Sequence, residues 1–133
     1  MAMEEWERYY AEATDYCNVA RNAARKGKLG NMVIYNIVCM SVENFMTSIL
    51  VSEGIYPEHS SITAMMREIK KLREIPDKFS SEVRFLNSFM NFCSLEVTPE
   101  KIPTDEEVAR MAAFVGDFKE WTQAYLVKSE VKK

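Results

Sequence analysis

At 133 residues and 15.4 kDa, the chain has the length of one domain, and a chain of this size can bury about two-thirds of its surface on folding. Its composition, 47% hydrophobic and 28% charged with only 4 Gly and 4 Pro, excludes collagen-like, low-complexity and disordered proteins. The formal charge of −3 supplies no overall positive field, so nucleic acid is not an expected partner without a local basic patch. We therefore expect a single domain over residues 1–133.

The first predicted element is an amphipathic helix from about Met3 to Lys26. Aromatic and small apolar side chains recur three or four residues apart along it, which is the spacing of one buried stripe. Glutamates lie at its beginning, and Arg21, Arg25 and Lys26 lie at its end, as the helix macrodipole favours. With Lys28, these residues form a basic run without intervening acids. Arg21 and Arg25 are accordingly candidate phosphate-binding residues, although the same charges are common at helix ends.

The second predicted helix, about Asn31 to Glu53, has one charged residue, Glu43, between Met32 and Val51. Its apolar residues surround almost the whole helix axis, which predicts the central helix of a bundle. A stretch of this length could span a bilayer, but an acid at mid-helix would cost about 2.5–3.5 kcal/mol there. We therefore expect a soluble bundle and no membrane partner.

The central helix also carries a predicted polar strip. Asn36 lies seven residues before Glu43, on nearly the same helical face, and Thr47 follows four residues later. If these side chains face a groove, they are a ligand- or partner-binding site; if they face another helix, they are an internal network. Burial of an unpaired charge is costly, so the sequence predicts a buried Glu43 with a hydrogen-bonding partner near the middle of the bundle.

Three further helices complete the predicted fold. A short one spans about residues 62–72 and ends before Pro76, and a fourth carries apolar residues from Phe79 to Cys93. Thr104 with Glu107 three residues later is a capping-box pattern that begins a fifth helix. Short connections make neighbouring helices antiparallel. The predicted fold is therefore all-α, an antiparallel up-and-down bundle of four long helices and one short helix.

Cysteine usage and the residues that carry chemistry point away from most catalytic or metal sites. Cys17, Cys39 and Cys93 are odd in number and lie among apolar residues, as buried thiols of a reduced compartment do, and the chain begins without a signal-peptide pattern. We expect a cytoplasmic protein. A single histidine, His59, and scattered cysteines cannot build a usual zinc site, and no Gly-rich phosphate loop or nucleophile elbow is present. We predict no metal, no cofactor and no catalytic residue.

The central part of the sequence resembles the HEPN family, the "higher eukaryotes and prokaryotes nucleotide-binding" domains. The resemblance rests on residues 33–50, which include Val42-Glu43, on Gly54, on the Pro57-Glu58-His59 turn and on the amphipathic stretch to Leu72. It implies an antiparallel helical bundle that is usually a homodimer. It also implies either an RNA-cleaving toxin or the helical partner of a small nucleotidyltransferase, with a nucleotide as a further ligand.

Two departures from the family pattern bear on activity. RNA-cleaving members have an Arg followed after four to six residues by a His, and here the only histidine, His59, has no Arg at that distance before it. Non-cleaving members have an Arg-Tyr-Pro-Asp-like stretch after the fourth helix, where this chain has residues 92–99, from Phe92 to Pro99, without that motif. We therefore expect a non-catalytic module that binds a protein partner, either a nucleotidyltransferase-type protein or a second copy of itself. The alternatives are a toxin with a degenerate or displaced site and a scaffold without a ligand. His59 is a candidate ligand contact or a local cap at the start of the third helix.

Overall fold

The structure, a computed structural model, describes residues 4–27, 29–58, 61–89 and 102–131. Within these ranges all regular secondary structure is helical, which confirms the all-α prediction. The five helices are α1 Glu5–Lys26, α2 Asn31–Ser52, α3 Ile62–Leu72, α4 Asp77–Asn87 and α5 Asp105–Val131.

The first two helices form an antiparallel pair. Gly27 ends α1 in the left-handed conformation (φ 66°) that glycine adopts without strain, and its N–H donates to the Ala23 carbonyl. Along the pair, the Ser41 hydroxyl of α2 donates to the Ala13 carbonyl of α1 at 2.7 Å, and the rings of Tyr10 and Phe45 make an edge contact further along. Higher residue numbers on one helix meet lower numbers on the other, as antiparallel packing requires.

Helix α2 is the central helix, as predicted, because it contacts α1, α3 and α5. It runs in the same direction as α5, which is shown by three contacts in matching order: Asn31 with Asp105, Phe45 with Phe118, and Glu53 with Tyr125. The predicted capping box also forms at the start of α5, where the backbone N–H and side chain of Thr104 pair with the side chain and backbone N–H of Glu107.

Helix α4 runs antiparallel to α5. Phe79 near its start contacts Trp121, and Glu82 one turn later binds Arg110, which lies earlier in α5. The directions of α1, α2, α4 and α5 therefore alternate, and α3 is the short helix between them. These four helices form the predicted up-and-down bundle.

The end of α4 differs from the prediction. The helix ends at Asn87, whereas the apolar spacing predicts that it continues to Cys93, which lies outside the described residues. The chain turns here because its last hydrogen bonds join residues three apart instead of four. The Ser88 hydroxyl donates to the Phe85 carbonyl at 2.6 Å, and the Phe89 N–H donates to the Leu86 carbonyl at 3.3 Å. The described helices are thus three long ones and two of 11 residues, rather than four long and one short.

Among the described residues, α2 is also the one helix long and apolar enough to cross a membrane by length and composition alone. The core helix of a bundle meets the same criterion. Most of the α2 window is buried inside the protein, against its neighbouring helices. Its apolar surface is therefore accounted for largely by packing.

Candidate functional site

One side of α2 is not covered by the other helices that the structure describes. The α2 stripe consists of positions three or four residues apart that are exposed or half-buried: Val33, Asn36, Ile37, Met40, Glu43, Asn44 and Thr47. Val33 is 48% and Met40 is 41% exposed, although both lie on the most apolar helix of the bundle. The stripe thus presents large apolar side chains to solvent from the centre of the fold.

The predicted polar strip lies along one edge of the α2 stripe. Asn36 is exposed, and Glu43 and Thr47 are half-buried. The Thr47 hydroxyl donates to the Glu43 backbone carbonyl at 2.8 Å and lies 3.5 Å from the Met65 sulfur of α3. It therefore satisfies its own helix rather than the Glu43 carboxylate. The three side chains share a face of α2, but in the described chain they are not joined by hydrogen bonds between side chains.

The environment of Glu43 differs from the prediction of a buried, paired acid. Its side chain is half-buried, and its carboxylate forms no hydrogen bond or ion pair with any other residue that the structure describes. Burial raises its pKa above the ordinary value. The prediction of a hydrogen-bonded partner is wrong for this part of the chain because position 43 lies at the border of the stripe. There water can reach the carboxylate, so no facing helix has to supply a donor.

The two arginines predicted to hold phosphate lie on α1 and do not converge on the strip. The Arg21 guanidinium lies against α5, where a Cβ added at Gly116 would be 3.3 Å from its Cζ. Arg25 donates from Nη2 to the side-chain oxygen of Asn22 at 2.9 Å, within its own helix. Arg21 thus packs against Gly116 of α5, and Arg25 is held by Asn22 of its own helix.

The described cysteines are buried and protonated. Burial raises the pKa of the Cys17 thiol and raises that of the Cys39 thiol to about 11. A thiol at such a pKa is a poor nucleophile and a poor metal ligand at neutral pH, because the thiolate is the reactive form. In the described ranges, no group of three or more His, Cys, Asp or Glu side chains is arranged to hold a metal ion.

Several residues of interest lie outside the described ranges, namely His59, Lys28, Cys93 and the stretch 92–99. The prediction that His59 contacts a ligand or caps α3 is therefore not tested. At the start of α3, Ser61 acts as the cap, because its hydroxyl accepts a hydrogen bond from the Ala64 N–H at 3.1 Å.

The structure also shows a cationic groove that the sequence analysis missed. Arg67 and Lys70 of α3 and Arg84 of α4 line one cavity between these two helices. Arg67 and Lys70 are three residues apart, the spacing of one helical face, which is a signal that the sequence does contain. Arg84 is 17 positions further along the chain than Arg67, and only the turn between α3 and α4 brings it to the same cavity.

Comparisons with known proteins address the fold. The sequence matches no protein-family model and no curated protein. The crystal structure of an archaeal HEPN homologue is similar to 93% of this chain and to 99% of its own, with a TM-score of 0.70 and 17% sequence identity. The chain therefore has a HEPN-like fold, as the resemblance implied.

Proposed function

We propose that the protein is a non-catalytic HEPN-like binding module that forms a homodimer through the α2 stripe. The observation that supports the proposal is the exposure of Val33 and Met40 on the most apolar helix of the bundle, whose other side is buried. Covering such side chains is favourable by about 25 cal/mol for each Å² of apolar surface removed from water. An apolar centre with a polar border is also the usual composition of a protein interface.

The α2 stripe is suited to a two-fold symmetric contact. Met40 lies midway between Val33 and Thr47, and an antiparallel crossing of two α2 helices at this point places each Met40 against the other copy's Met40. Asn36 of one copy then lies opposite Asn44 of the other. The Asn44 amide already donates to the Met40 carbonyl at 3.0 Å, so its side-chain oxygen can accept from Asn36. Such pairing would satisfy the polar groups that dimer formation covers.

Glu43 lies at the border of this arrangement. A carboxylate at the wet rim of an interface keeps its hydration, whereas one at a dry centre would require a cationic partner. The polar strip of Asn36, Glu43 and Thr47 is then the part of the surface where a nucleotide or a nucleotidyltransferase-type protein would meet the dimer. This second contact rests on the family resemblance, and the homodimer rests on the exposed side chains of α2.

Support for a binding role, rather than a catalytic one, comes from the sequence. Cleavage of RNA at the 2′-hydroxyl needs a positioned acid or base beside the phosphate. The family supplies it with an Arg and a His four to six residues apart, and His59 has no such Arg.

Sedimentation velocity of purified protein tests the homodimer. We expect the wild-type chain to sediment as a dimer and Met40→Glu to sediment as a monomer, because the variant sets two like charges against each other at the symmetry axis. Leu72→Glu is the matched control: Leu72 is 40% exposed, close to the 41% of Met40, but it ends α3 and lies off the stripe. It should remain dimeric. A monomeric wild type at high protein concentration, or a Met40→Glu variant that still dimerises, would refute the proposal.

Incubation of the purified dimer with single-stranded RNA tests the non-catalytic assignment. We expect the RNA to stay intact. Cleavage that disappears in a His59→Ala variant would instead establish the alternative, an RNA-cleaving toxin with a displaced site.

A further inference from the structure

The groove between α3 and α4 is a defined cavity with an apolar floor. Its volume is about 240 Å³, and Met66 and Val83, both buried, lie at its base. The two helices are joined at one end by the short segment 73–76. At the other end the Asn87 amide donates to the Thr63 hydroxyl at 2.6 Å, which links the end of α4 to the start of α3. The walls of the groove are therefore held at both ends.

The rim of the groove is cationic. Arg67, Lys70 and Arg84 line it together with the hydroxyls of Thr63 and Ser80, and no Asp or Glu is among its described lining residues. None of the three cations forms an ion pair with another residue in the described chain. The Arg84 guanidinium donates to the Ser81 hydroxyl at 3.2 Å, which holds it on α4 without neutralising it.

Two of the three acids carried by the same two helices are paired elsewhere, and the third, Asp77, is not among the residues that line the groove. Glu68 of α3 binds Lys71 at 3.1 Å, on its own helix. Glu82 of α4 binds Arg110 of α5 at 2.7 Å, toward the other side of α4. Three positively charged side chains thus line one cavity of a protein whose overall formal charge is −3. Repulsion between these cations disfavours the empty groove, and an anion would relieve it.

We propose that this groove binds a small organic diphosphate, with the phosphates on Arg67, Lys70 and Arg84 and the organic part against Met66 and Val83. A phosphate monoester carries a charge of about −1.5 to −2 at neutral pH, so three cations suit a diphosphate better than a single phosphate. Guanidinium groups and hydroxyls are the donors that phosphate oxygens accept from most strongly. The cavity is smaller than a typical enclosed ligand pocket, so the organic part is only partly covered.

This site is separate from the α2 stripe, and its test does not depend on dimer formation. Isothermal titration calorimetry of the full chain with ADP, and separately with inorganic pyrophosphate, measures the binding. We expect ADP to bind more tightly than pyrophosphate because of the apolar floor, and we expect both affinities to fall as salt concentration rises.

Variants locate the site. Lys70→Gln combined with Arg84→Gln should weaken ADP binding by about tenfold or more, since each removes a charge-assisted hydrogen bond. Arg8→Gln is the matched control, because it also removes an exposed positive charge but from α1, and it should change the affinity by less than about twofold. If the double variant fails to fold, as judged by circular dichroism, the single variant Lys70→Gln replaces it.

Three outcomes would overturn the proposal. The first is the absence of binding by both ADP and pyrophosphate at millimolar concentration. The second is an equal loss of affinity in Arg8→Gln and in the groove variants, which would indicate a general effect of charge. The third is binding of single-stranded RNA without binding of either diphosphate, which would assign the groove to a polymer instead.

Discussion

Tyr35→Phe is expected to weaken the connection between the central helix and α4. Tyr35 is only 1% exposed, and its hydroxyl donates to the Leu86 carbonyl near the end of α4 at 2.8 Å. Burial is the main cause that raises the pKa of its phenol, so the hydroxyl stays a donor throughout the accessible pH range. The substitution removes one oxygen atom from the core and leaves the ring in place against Phe89.

The expected loss of stability depends on which hydrogen-bond donors the Leu86 carbonyl keeps after the substitution. A typical hydrogen bond contributes about 0.5–1.5 kcal/mol net, and a buried acceptor left without any donor costs about 1–3 kcal/mol. The Leu86 carbonyl keeps a longer bond from the Phe89 N–H at 3.3 Å, so it is not left entirely without a donor. We therefore expect a loss of about 1–1.5 kcal/mol. For a chain of this length that corresponds to a decrease in Tm of about 4–6 °C.

Thermal and urea unfolding followed by circular dichroism measure this loss. Tyr16→Phe is the control, because Tyr16 is half-buried on α1 and its hydroxyl bonds to no other residue in the described ranges. It should change the unfolding free energy by less than about 0.5 kcal/mol. If the two variants lose the same stability, or if Tyr35→Phe loses none, the hydrogen bond to Leu86 does not hold α4 against α2 and the reasoning fails.

Two further substitutions test side chains that the structure places unexpectedly. Because burial raises the pKa of Glu43, the wild-type chain loses stability as pH rises through the folded-state pKa of this carboxyl. Glu43→Gln has no such titration, so its unfolding free energy, measured with urea, should increase relative to that of the wild type between pH 4 and pH 7. A change in the wild type's favour would reveal an attractive partner for the carboxylate. Gly116→Ala should raise Tm by a few degrees, because alanine is favoured over glycine within a helix by about 1 kcal/mol. The flexible Arg21 side chain, which lies against Gly116, can move away from the added methyl group. A lower Tm would show that Arg21 is fixed against α5.

The position of α2 could be predicted from sequence because a single charge in a long apolar stretch is a strong signal. The uncovered side of α2 could not be predicted by the same reasoning. Apolar residues surround the axis of this helix, so Val33 and Met40 look no different in sequence from buried neighbours such as Val38. Only the number and placement of the surrounding helices decide which side stays open. The environment of Glu43 follows from that placement too, and this explains why none of the described residues pairs with its carboxylate.

The end of α4 and the cationic groove could not be predicted from the sequence, for two different reasons. Apolar residues continue at helical spacing past Phe89, so periodicity alone cannot show that the helix ends at Asn87. The groove lies between two helices, so the sequence of either helix alone does not predict it. Arg67 and Arg84 line the same cavity because α3 and α4 lie side by side, with Thr63 and Asn87 bonded at their far ends, and no local sequence pattern predicts that contact. By contrast, the basic run at the end of α1 is visible in sequence, yet its arginines do not converge.

The likeness to an archaeal HEPN homologue, at 17% identity, shows the fold of the backbone. Binding depends on the side chains that this chain itself places on its surface. The two proposed surfaces are built differently. The α2 stripe offers exposed Val33 and Met40 and therefore suits a partner that can cover apolar area, such as a second copy. The groove offers Lys70 and Arg84 over a small apolar floor and therefore suits a compact anion. Since the groove and the α2 stripe share no residue, Lys70→Gln should weaken diphosphate binding and leave the dimer intact, whereas Met40→Glu should separate the dimer.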